Sequence, residues 1–513
     1  VPTRHLPRFI TLPEHRGNKY IILLEDVIRY CLPKVFSFFG YDTFSAHVIK
    51  VTRDAEIDID SDVSTSIIQK LEKGIKNRKK GKPVRFLYDS DINIFLLNYL
   101  QKRLGLTKHE NIIPGGRIHN FKDFMNFPGE VFEHKSERKK PFIHPLLADA
   151  ASIAEKLMQQ DIMLHFPYHT FDTVIDLLRE AAIDPRVTHI KLTAYRLAPK
   201  SKVIHALTNA VRNGKQVTVV LELRARFDEE ANLEWKTQLE EAGVKVLLGI
   251  PDMKVHAKIC SIRRKEGNSF RYYGFVSTGN LNEKTAKVYG DHCLLTSNNA
   301  VMADINRIFL YLQNPKTNIN LLKGCKKLLV SPTSMRKALL SYIDREIKTA
   351  RAKRKASIIL KLNSLSDPQL VEKLEDAARA GVEVKLIIRG ICCLMTENKK
   401  FKTPVQAISI VDEYLEHARV MIFHNQGKEK IFISSADWMV RNIDHRIEAA
   451  CPVNRAAIAE ELKYIINIQL ADNVKARVLN NEQNNLYFKN GSKPLRSQVE
   501  TYNYLHKKVI HKS

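Results

Sequence analysis

The chain has 513 residues and a hydrophobic content of 44%, which is enough for several domains with cores of their own. Its formal net charge of +26 at pH 7 favours a polyanionic partner such as a nucleic acid, a phosphate polymer or an acidic membrane surface. Seven cysteines without paired spacing exclude a disulfide framework and indicate reduced thiols, as in the cytoplasm. No apolar run approaches the ~20 residues that cross a bilayer, and no signal peptide is apparent.

The first part of the chain, residues 1–142, predicts a mixed α+β domain. Helical periodicity occurs at residues 21–31, 63–73 and 91–104, a short apolar run at 84–88 predicts a strand, and Pro-Gly-Gly at 114–116 predicts a turn. Because the chain starts at Val1 rather than at a methionine, we expect this domain to lack an upstream part.

Two β-α-β patterns follow. Apolar runs at 188–196 and 217–223 flank an amphipathic stretch that ends at Gly214, and the same order recurs at 355–363 and 384–388 around Gly381. Short apolar runs rich in β-branched residues suit a sheet that is covered on both faces. The β-α-β order implies parallel pairing with right-handed crossovers.

The repeated pattern predicts a duplicated α/β fold. We place the two related domains at residues 143–325 and 326–513, each with a mostly parallel sheet. A strand is expected to open the second domain at 327–332, and a helix at 499–509 is expected to close it.

A histidine-centred motif occurs twice, about 160 residues apart. KVHAK at 254–258 is followed by STGN at 277–280, and EHAR at 416–419 is followed by SSAD at 434–437. In each copy a basic residue stands two positions after the histidine, on the same face of an extended segment. An imidazole can attack phosphorus, and Lys258 is placed to neutralise phosphate oxygens. A single match of this kind usually belongs to an ordinary surface histidine. Its recurrence, at His256 and His417, favours phosphoryl chemistry.

Arginines stand where a ligand of a parallel sheet is expected. Arg196 and Arg226 follow predicted strands, Arg389 ends the corresponding strand of the second copy, and ligands of such sheets bind at the carboxyl ends of strands. A guanidinium suits phosphate oxygens, although ion pairs with the acids at 228–230 are the alternative. Those acids also suit Mg²⁺. Tyr289 offers a ring that either stacks on a base or packs in the core. There is no P-loop and no glycine-rich nucleotide loop, so any nucleotide is bound in an unusual way.

These residues resemble the polyphosphate kinase family, whose catalytic part is built on domains of the phospholipase D superfamily. The duplicated H-x-[KR] pattern is similar to that of the superfamily, and longer stretches carry the closer resemblance from end to end of the chain. The stretches are PGGRIHNFKDF at 114–124, PYHTF at 167–171, YR at 195–196, ARFDEEAN at 225–232, TGNLNEKTAKVY at 278–289, AISIVD at 407–412, YLEH at 414–417, SSADWM at 434–439 and RNID at 441–444.

The resemblance implies two phospholipase D-like α/β domains and an enzyme that reversibly transfers the γ-phosphate of ATP to the end of inorganic polyphosphate. By position, the phosphorylated histidine falls on His256, with Lys258 beside it. The second essential histidine falls on His417, expected as a general acid/base or a phosphate stabiliser. Nucleotide contacts fall on Tyr289, Arg389 and His417.

The resemblance also implies a magnesium site at Arg196 and Arg226 and a further phosphate contact at Arg446. Because an arginine cannot ligate a cation, we expect Arg196 and Arg226 to hold phosphates that Mg²⁺ bridges. The implied partners are ATP or ADP and polyphosphate rather than nucleic acid, in a homo-oligomer that is cytoplasmic or peripheral to the inner face of the membrane.

Two departures from the related patterns bear on the function. The family has an N-terminal helical domain that helps to hold adenine, and this chain begins after it, so we expect weakened nucleotide binding. The phospholipase pattern has an aspartate five residues after the motif lysine, where Arg263 and His424 stand here, and Arg419 replaces the second lysine. These substitutions argue against the first alternative, a phospholipase D-like phosphodiesterase or nuclease. The second alternative is a non-catalytic polyanion-binding protein whose histidines only pack.

Overall fold

A computed structural model describes residues 6–53, 83–106, 111–131, 138–198, 200–223, 229–250, 253–315 and 319–510. The chain divides into two compact units, Val1–Arg138 and Lys139–Ser513. The helix predicted at 63–73 lies outside the described residues. Among the helices that are described, none is both long and apolar enough to cross a membrane.

The first unit mixes strands and helices, as predicted. Its elements are β1 Phe9–His15, β2 Asn18–Leu23, α1 Leu24–Val35, β3 Ile49–Arg53, β4 Pro83–Asp89, α2 Ile94–Leu104 and β5 Ile112–Gly115. The strand predicted at 84–88 is confirmed as β4. The helix predicted from residue 91 begins at Ile94, because the side chain of Asn93 caps it by accepting from the backbone N–H of Phe95 at 2.8 Å. The helix predicted from residue 21 begins three residues later, because residues 18–23 pair with β1.

The second unit contains both β-α-β patterns. The first copy has α3 Ile153–Gln159, β6 Ile162–Phe166, α4 Asp172–Ile183, β7 Val187–Ala194, α5 Lys202–Arg212, β8 Gln216–Leu221, α6 Glu229–Glu241, β9 Lys245–Leu247, β10 Lys254–Val255, β11 Lys258–Glu266, β12 Ser269–Ser277, β13 Tyr289–Thr296, α7 Asn299–Gln313 and α8 Asn320–Lys323.

The second copy has β14 Leu329–Val330, α9 Met335–Arg351, β15 Ser357–Leu362, α10 Pro368–Ala380, β16 Glu383–Ile388, β17 Gln406–Ile410, β18 Leu415–Glu416, β19 Arg419–Phe423, β20 Lys430–Ser434, α11 Val440–Asp444, β21 Arg446–Ile447, β22 Ala449–Pro452, α12 Ala456–Leu470, β23 Ala476–Val478 and α13 Ser497–Ile510. The opening strand and the closing helix are therefore both present.

Each copy is built on a mixed sheet. The strand orders are β18-β13-β12-β11-β7-β8-β9, with β6 against β13, and β14-β22-β20-β19-β15-β16-β17-β23. The predicted parallel pairing is found in β7-β8-β9 and in β15-β16-β17, where a helix connects each strand to the next except between β16 and β17. The expectation of mostly parallel sheets is wrong for the remaining strands. Most of them pair antiparallel, and neighbours such as β11 and β12 are joined by tight turns that only antiparallel pairing permits.

The two sheets share a hydrophobic core. One cluster of fully buried side chains takes members from both copies, such as Ile259 and Ile305 of the first and Ile433 and Leu462 of the second. The runs predicted as strands are buried because helices cover them, as in β8, where every residue after Gln216 is buried. The two copies are thus parts of one packed body rather than independently mobile domains.

Short strands are exchanged between the copies. In β10, Lys254 and Val255 pair in parallel with Arg446 and Ile447 of β21. In the mirror arrangement, the two residues of β18 pair in parallel with the start of β13. Each exchanged strand immediately precedes a motif histidine, so each copy supports the histidine segment of the other.

Candidate active site

His256 lies between β10 and β11 and is held by a carboxylate of the other copy. Its Nδ1 lies 2.9 Å from both carboxylate oxygens of Glu448, which follows β21. The backbone N–H groups of His256 and Ala257 both donate to the carbonyl of Ile447, at 2.9 and 2.8 Å. The side chain of Glu448 is fully buried, and it also accepts hydrogen bonds from Ser435 and Asn442. With these donors around it, the carboxylate accepts the Nδ1–H of His256 and leaves Nε2 with its lone pair.

His417 repeats this geometry from the opposite side. Its Nδ1 lies 2.8 Å from Oδ2 of Asp291, near the start of β13 in the first copy. The N–H groups of His417 and Ala418 donate to the carbonyl of Gly290, at 3.0 and 2.8 Å. The hydroxyl of Thr278 donates to Asp291 at 2.6 Å, in the role that Ser435 has toward Glu448.

The two half-sites form one charged cluster. Both the imidazole of His256 and the ammonium of Lys258 interact electrostatically with Arg419, and His417 interacts with Lys258. About an eighth of each histidine side chain is accessible, 12% for His256 and 13% for His417, so each ring is desolvated yet open to a reacting group.

Burial keeps both imidazoles in the neutral form. It lowers the pKa of His256 well below the ordinary value, and the charges of Lys258 and Arg446 add to the effect. Burial also lowers the pKa of His417, although Asp291 opposes it. A neutral imidazole is the nucleophilic form, so the site favours attack rather than protonation at neutral pH.

The basic residue two positions after each histidine donates a hydrogen bond back to the carbonyl of that histidine. Lys258 donates through Nζ to the carbonyl of His256, and Arg419 donates to the carbonyl of His417 at 2.8 Å. Arg419 also forms an ion pair with Asp437 at 3.0 Å, and that guanidinium overcomes the effect of burial and lowers the pKa of Asp437 to about 2. Both basic side chains are therefore fixed beside the imidazoles, and burial lowers the pKa of Lys258 well below its ordinary value.

The structure brings most of the other predicted site residues to this cluster. The ring of Tyr289 lies 5.2 Å from that of His417, and Arg389 donates to the side chain of Asn363 at 2.7 Å and interacts with Arg419. Arg446 pairs with Lys254 in the exchanged strands.

The expected magnesium position is described only in part. Arg196 follows β7, with its guanidinium 5.7 Å from the centre of the Tyr195 ring, which lies edge-on to His256 at 4.9 Å. Arg226 and the acid at position 228 lie outside the described residues. In the described ranges there is no group of three or more His, Cys, Asp or Glu side chains able to hold a metal ion. Among the acids of the cluster, Asp291 and Glu448 already accept hydrogen bonds from imidazoles and hydroxyls, and Asp437 is paired with Arg419. The described residues thus do not fit a protein-ligated metal centre.

Sequence reasoning missed the two carboxylates that hold the histidines. A signal was present: Thr278 and Ser435 each stand thirteen residues before an acid, Asp291 and Glu448 respectively. Gly279 belongs to the same signal, because a Cβ at that position would collide with the carboxylate of Asp291. The sequence motifs did not reveal these carboxylates, because each one bonds to the histidine of the other copy.

Comparison with known proteins gives the same family along the whole chain. Family models described as polyphosphate kinase middle domain, C-terminal domain 1 and C-terminal domain 2 match residues 1–127, 152–318 and 328–498. The chain is 44% identical to the polyphosphate kinase of Vibrio vulnificus strain YJ016 over 513 residues, which covers 98% of this chain and 72% of the relative. It is 41% identical to that of Escherichia coli K12 over 512 residues, covering 98% and 74%. The crystal structure of polyphosphate kinase from Porphyromonas gingivalis superposes with a TM-score of 0.85 at 36% identity, covering 100% of this chain and 75% of that one. The chain belongs to the polyphosphate kinase family.

Proposed function

We propose that this protein transfers the γ-phosphate of ATP to the end of inorganic polyphosphate, reversibly, through a phosphohistidine on His256. The observation that carries the proposal is the bond from Nδ1 of His256 to the buried carboxylate of Glu448. It fixes the tautomer that leaves Nε2 free to attack phosphorus among several cations. The family's activity supplies the substrates, ATP or ADP and polyphosphate.

In the first step, the Nε2 lone pair of His256 attacks the γ-phosphorus. The bond from that phosphorus to the bridging oxygen breaks, and its electrons leave with ADP. In the second step, an oxygen of the terminal phosphate of polyphosphate attacks the phosphohistidine, and the N–P electrons return to Nε2. The Nδ1 proton stays between His256 and Glu448 in both steps, and the negative carboxylate stabilises the positive charge that develops on the ring.

The surrounding residues offset the repulsion between two polyanions. Lys258 and Arg446 lie on the His256 side and are assigned to the transferring phosphate. His417, oriented by Asp291, is assigned as general acid/base or phosphate stabiliser toward the bridging oxygen.

The nucleotide and the polyphosphate need further contacts. Tyr289 and Arg389, which lie around His417, are assigned to the nucleotide together with that histidine. Arg196 and Arg226 remain assigned by position to the phosphates.

Kinases use divalent ions to neutralise the phosphates of ATP, and we assign that ion as Mg²⁺. Because the described acids are engaged with histidines, magnesium is expected to reach this site on the nucleotide rather than on a preformed protein ligand set. A cytoplasmic location, association with the inner face of the membrane and a homo-oligomeric state belong to the same proposal.

The test is phosphate transfer to the protein itself. Brief exposure to γ-labelled ATP and Mg²⁺ is expected to give acid-labile, base-stable label on the wild type and none on His256→Ala. His205→Ala is the matched control, because that histidine is exposed and remote from the cluster, and it is expected to label like the wild type. A chase with unlabelled polyphosphate should remove the label and lengthen the polymer.

The alternatives predict other outcomes. Absence of label from both ATP and labelled polyphosphate would contradict a covalent intermediate and favour the polyanion-binding protein. Cleavage of a phosphodiester such as bis(p-nitrophenyl) phosphate without ATP, lost in His256→Ala, would instead favour the phosphodiesterase.

A further inference from the structure

A groove lies on the outer face of the second copy, along helix α9. Its volume is about 720 Å³. The residues that line it are Pro332, Thr333, Arg336, Lys337, Leu340, Ser341, Asp344, Arg345, Lys348, Gln369 and Asp444. Neither the motif histidines nor the residues assigned to ATP are among them, so the groove is a separate feature.

The cations that remain available in the groove form a line. Arg336 is neutralised by Asp367 and Asp444, with an ion pair of 2.6 Å to each, and Asp344 by Lys373 at 2.7 Å. Lys337, Arg345 and Lys348 are exposed, and no carboxylate of the described residues forms an ion pair with them.

These three cations share one face of α9, because positions 337, 345 and 348 are separated by eight and three residues. The rise of a helix spreads them over roughly 16 Å. Four further exposed basic residues continue from the end of the helix: Arg351, Lys353, Arg354 and Lys355. A row of positive charge of this length matches a linear polyanion better than a single phosphate group.

One end of the groove adjoins the segment that orients His256. The backbone N–H of Ser331, next to Pro332 in the groove wall, donates to the carbonyl of Glu448 at 3.1 Å. Asp444 in the wall stands two residues before Arg446 of the catalytic cluster. The groove wall is therefore linked, at the start of α9, to the segment that carries Glu448 and Arg446.

The lining indicates which polyanion fits. The groove wall is made of basic, acidic, hydroxyl, amide and aliphatic side chains; its two acids, Asp344 and Asp444, are engaged in ion pairs, and none of the lining residues that the structure describes is aromatic. Single-stranded nucleic acids are held largely by stacking of bases on aromatic rings, so this groove offers them only backbone contacts. A polymer made of phosphates alone has no bases to stack, so the absence of aromatic rings does not weaken its binding.

We infer that the groove along α9 is a second binding site for polyphosphate, which holds a stretch of the chain distant from the reacting end. The inference rests on the proposed function, since it takes polyphosphate as the polymer at the catalytic cluster. A chain held at both places stays bound between successive transfers. The site then favours long polymers over short ones without any change in the chemical step.

The test compares long and short polymers in a variant with three neutralised cations, Lys337→Ala/Arg345→Ala/Lys348→Ala. For ATP formation from ADP, the KM for long-chain polyphosphate is expected to rise roughly tenfold, since each exposed ion pair contributes modestly. The KM for tripolyphosphate, which is too short to reach the groove, the KM for ADP and kcat are expected to stay within about twofold of the wild type. In the forward direction the variant should make shorter products.

The matched control removes the same charges elsewhere. Arg212, Lys245 and Lys265 are exposed: Arg212 ends α5, Lys245 begins β9, and Lys265 lies seven residues along β11 from Lys258. The variant Arg212→Ala/Lys245→Ala/Lys265→Ala is expected to behave like the wild type. An equal rise of KM for long and short polymers, or an equal rise in both triple variants, would overturn the inference in favour of a general charge effect.

A binding measurement separates this inference from the proposed function. Fluorescence anisotropy of end-labelled long polyphosphate, with His256→Ala as background, needs no catalysis. The groove variant is expected to bind roughly tenfold more weakly than the control variant, and single-stranded RNA at equal phosphate concentration is expected to compete poorly. If the groove variant binds polyphosphate more weakly but the protein is never labelled by ATP, the groove site is supported and the kinase mechanism is refuted. Equal affinity of the two variants, or stronger binding of RNA, would refute the site.

Discussion

The reactivity of His256 depends on one proton. If Nδ1 carries it, Nε2 can attack phosphorus, and if Nε2 carries it, attack is blocked. Glu448 decides between these tautomers because its buried carboxylate faces Nδ1 and accepts further hydrogen bonds from Ser435 and Asn442. Burial raises the pKa of this carboxyl, and the neighbouring charges of Lys258 and Arg446 offset only part of that rise.

The substitution Glu448→Gln tests this dependence. It keeps the shape of the side chain but replaces the charge with an amide that can donate to Nδ1, so the neutral imidazole loses its preferred tautomer. We expect the rate of phosphohistidine formation to fall by up to about 10⁴-fold, the loss seen when the carboxylate that orients a catalytic histidine is made an amide. Rapid-quench labelling with γ-labelled ATP measures the rate.

The control for this substitution is Glu460→Gln, which makes the same chemical change at an exposed position of α12. It should leave the rate unchanged. A labelling rate in Glu448→Gln close to that of the wild type would show that Glu448 does not set the tautomer. The thermal midpoint of unfolding of both variants shows whether a loss of rate comes from a loss of fold.

At the scale of elements, the C-terminal helix α13 fixes the strand that carries His417. The side chain of Gln498 accepts from the N–H of Tyr414 at 2.9 Å and donates to its carbonyl and to Glu416, both at 2.8 Å. Glu416, the residue before His417, also pairs with Lys361 of β15, and both side chains are almost completely buried. A helix far along the chain therefore holds the second catalytic histidine in register.

Truncation of this side chain, Gln498→Ala, is expected to loosen the segment before His417. It leaves the backbone N–H and carbonyl of Tyr414 without their partner, which costs about 1–3 kcal/mol of the free energy of unfolding. We expect kcat for ATP formation to fall several-fold while the KM for ADP changes less, because the substitution displaces a group rather than removes a contact to nucleotide. Steady-state kinetics and chemical denaturation measure the two effects.

Two further variants sharpen the test of α13. Gln498→Glu sets a carboxylate against Glu416 and should lower kcat further than Gln498→Ala. Lys507→Ala, at an exposed position of the same helix, should match the wild type. If Gln498→Ala loses stability but keeps its kcat, α13 supports the fold without positioning His417.

The elements also show what sequence patterns can and cannot reveal. The β-α-β units were predictable because their strands are buried on both faces and each helix is amphipathic, as in the run from β15 through α10 to β16. The exchanged strands β10 and β18 contain two residues each, too few for any periodicity to register. Antiparallel strands such as β19 and β20 have the same kind of apolar run as parallel strands. The sequence therefore could not show whether neighbouring strands pair in parallel or antiparallel.

For the whole molecule, the local sequence motifs predicted the histidines of the site but not the carboxylates that bond to them. The histidines and their following cations were predictable because each motif is contiguous in sequence. Asp291 and Glu448 were not, because each becomes a partner of a histidine only after the two copies pack together. The domain bounds at 142 and 325 stay predictions, as do the roles of the arginines.

The burial of so many imidazoles predicts how the whole molecule responds to acid. Among the described residues, the pKa values of five histidines lie below the ordinary value, and burial is the largest cause for each: His169, His189, His256, His292 and His417. The unfolded chain takes up these protons near pH 6.5 and the folded chain only at lower pH. Stability is therefore highest above about pH 6.5 and falls as the pH drops below it, by up to about 1.4 kcal/mol per pH unit for each histidine.

Carboxylates modify this response without reversing it near neutral pH. Acids with a lowered pKa, such as Asp437 and Asp291, lose their contribution only below about pH 4.5, where the unfolded chain begins to protonate. Burial raises the pKa of Glu346 and of Glu448, and these two oppose the histidines because the folded chain takes up their protons first. Between about pH 6.5 and 5, five histidines act against two acids, and the balance predicts a net loss of stability.

The measurement is the free energy of unfolding by urea at intervals from pH 8 to pH 5. We expect a decline below pH 6.5 that is steeper than any change above pH 7, where the lowered pKa of Lys258 acts in the same direction. The variant His292→Asn should decline less steeply, because an amide can replace Nδ1 in its 2.8 Å bond to Nδ1 of His165 and does not titrate. Lys507→Ala serves again as the neutral control. A profile that stays flat down to pH 5 would mean that these imidazoles titrate in the folded protein as they do in the unfolded chain, which would contradict the lowered pKa values. A decline that is equally steep in His292→Asn would mean that His292 does not contribute to it.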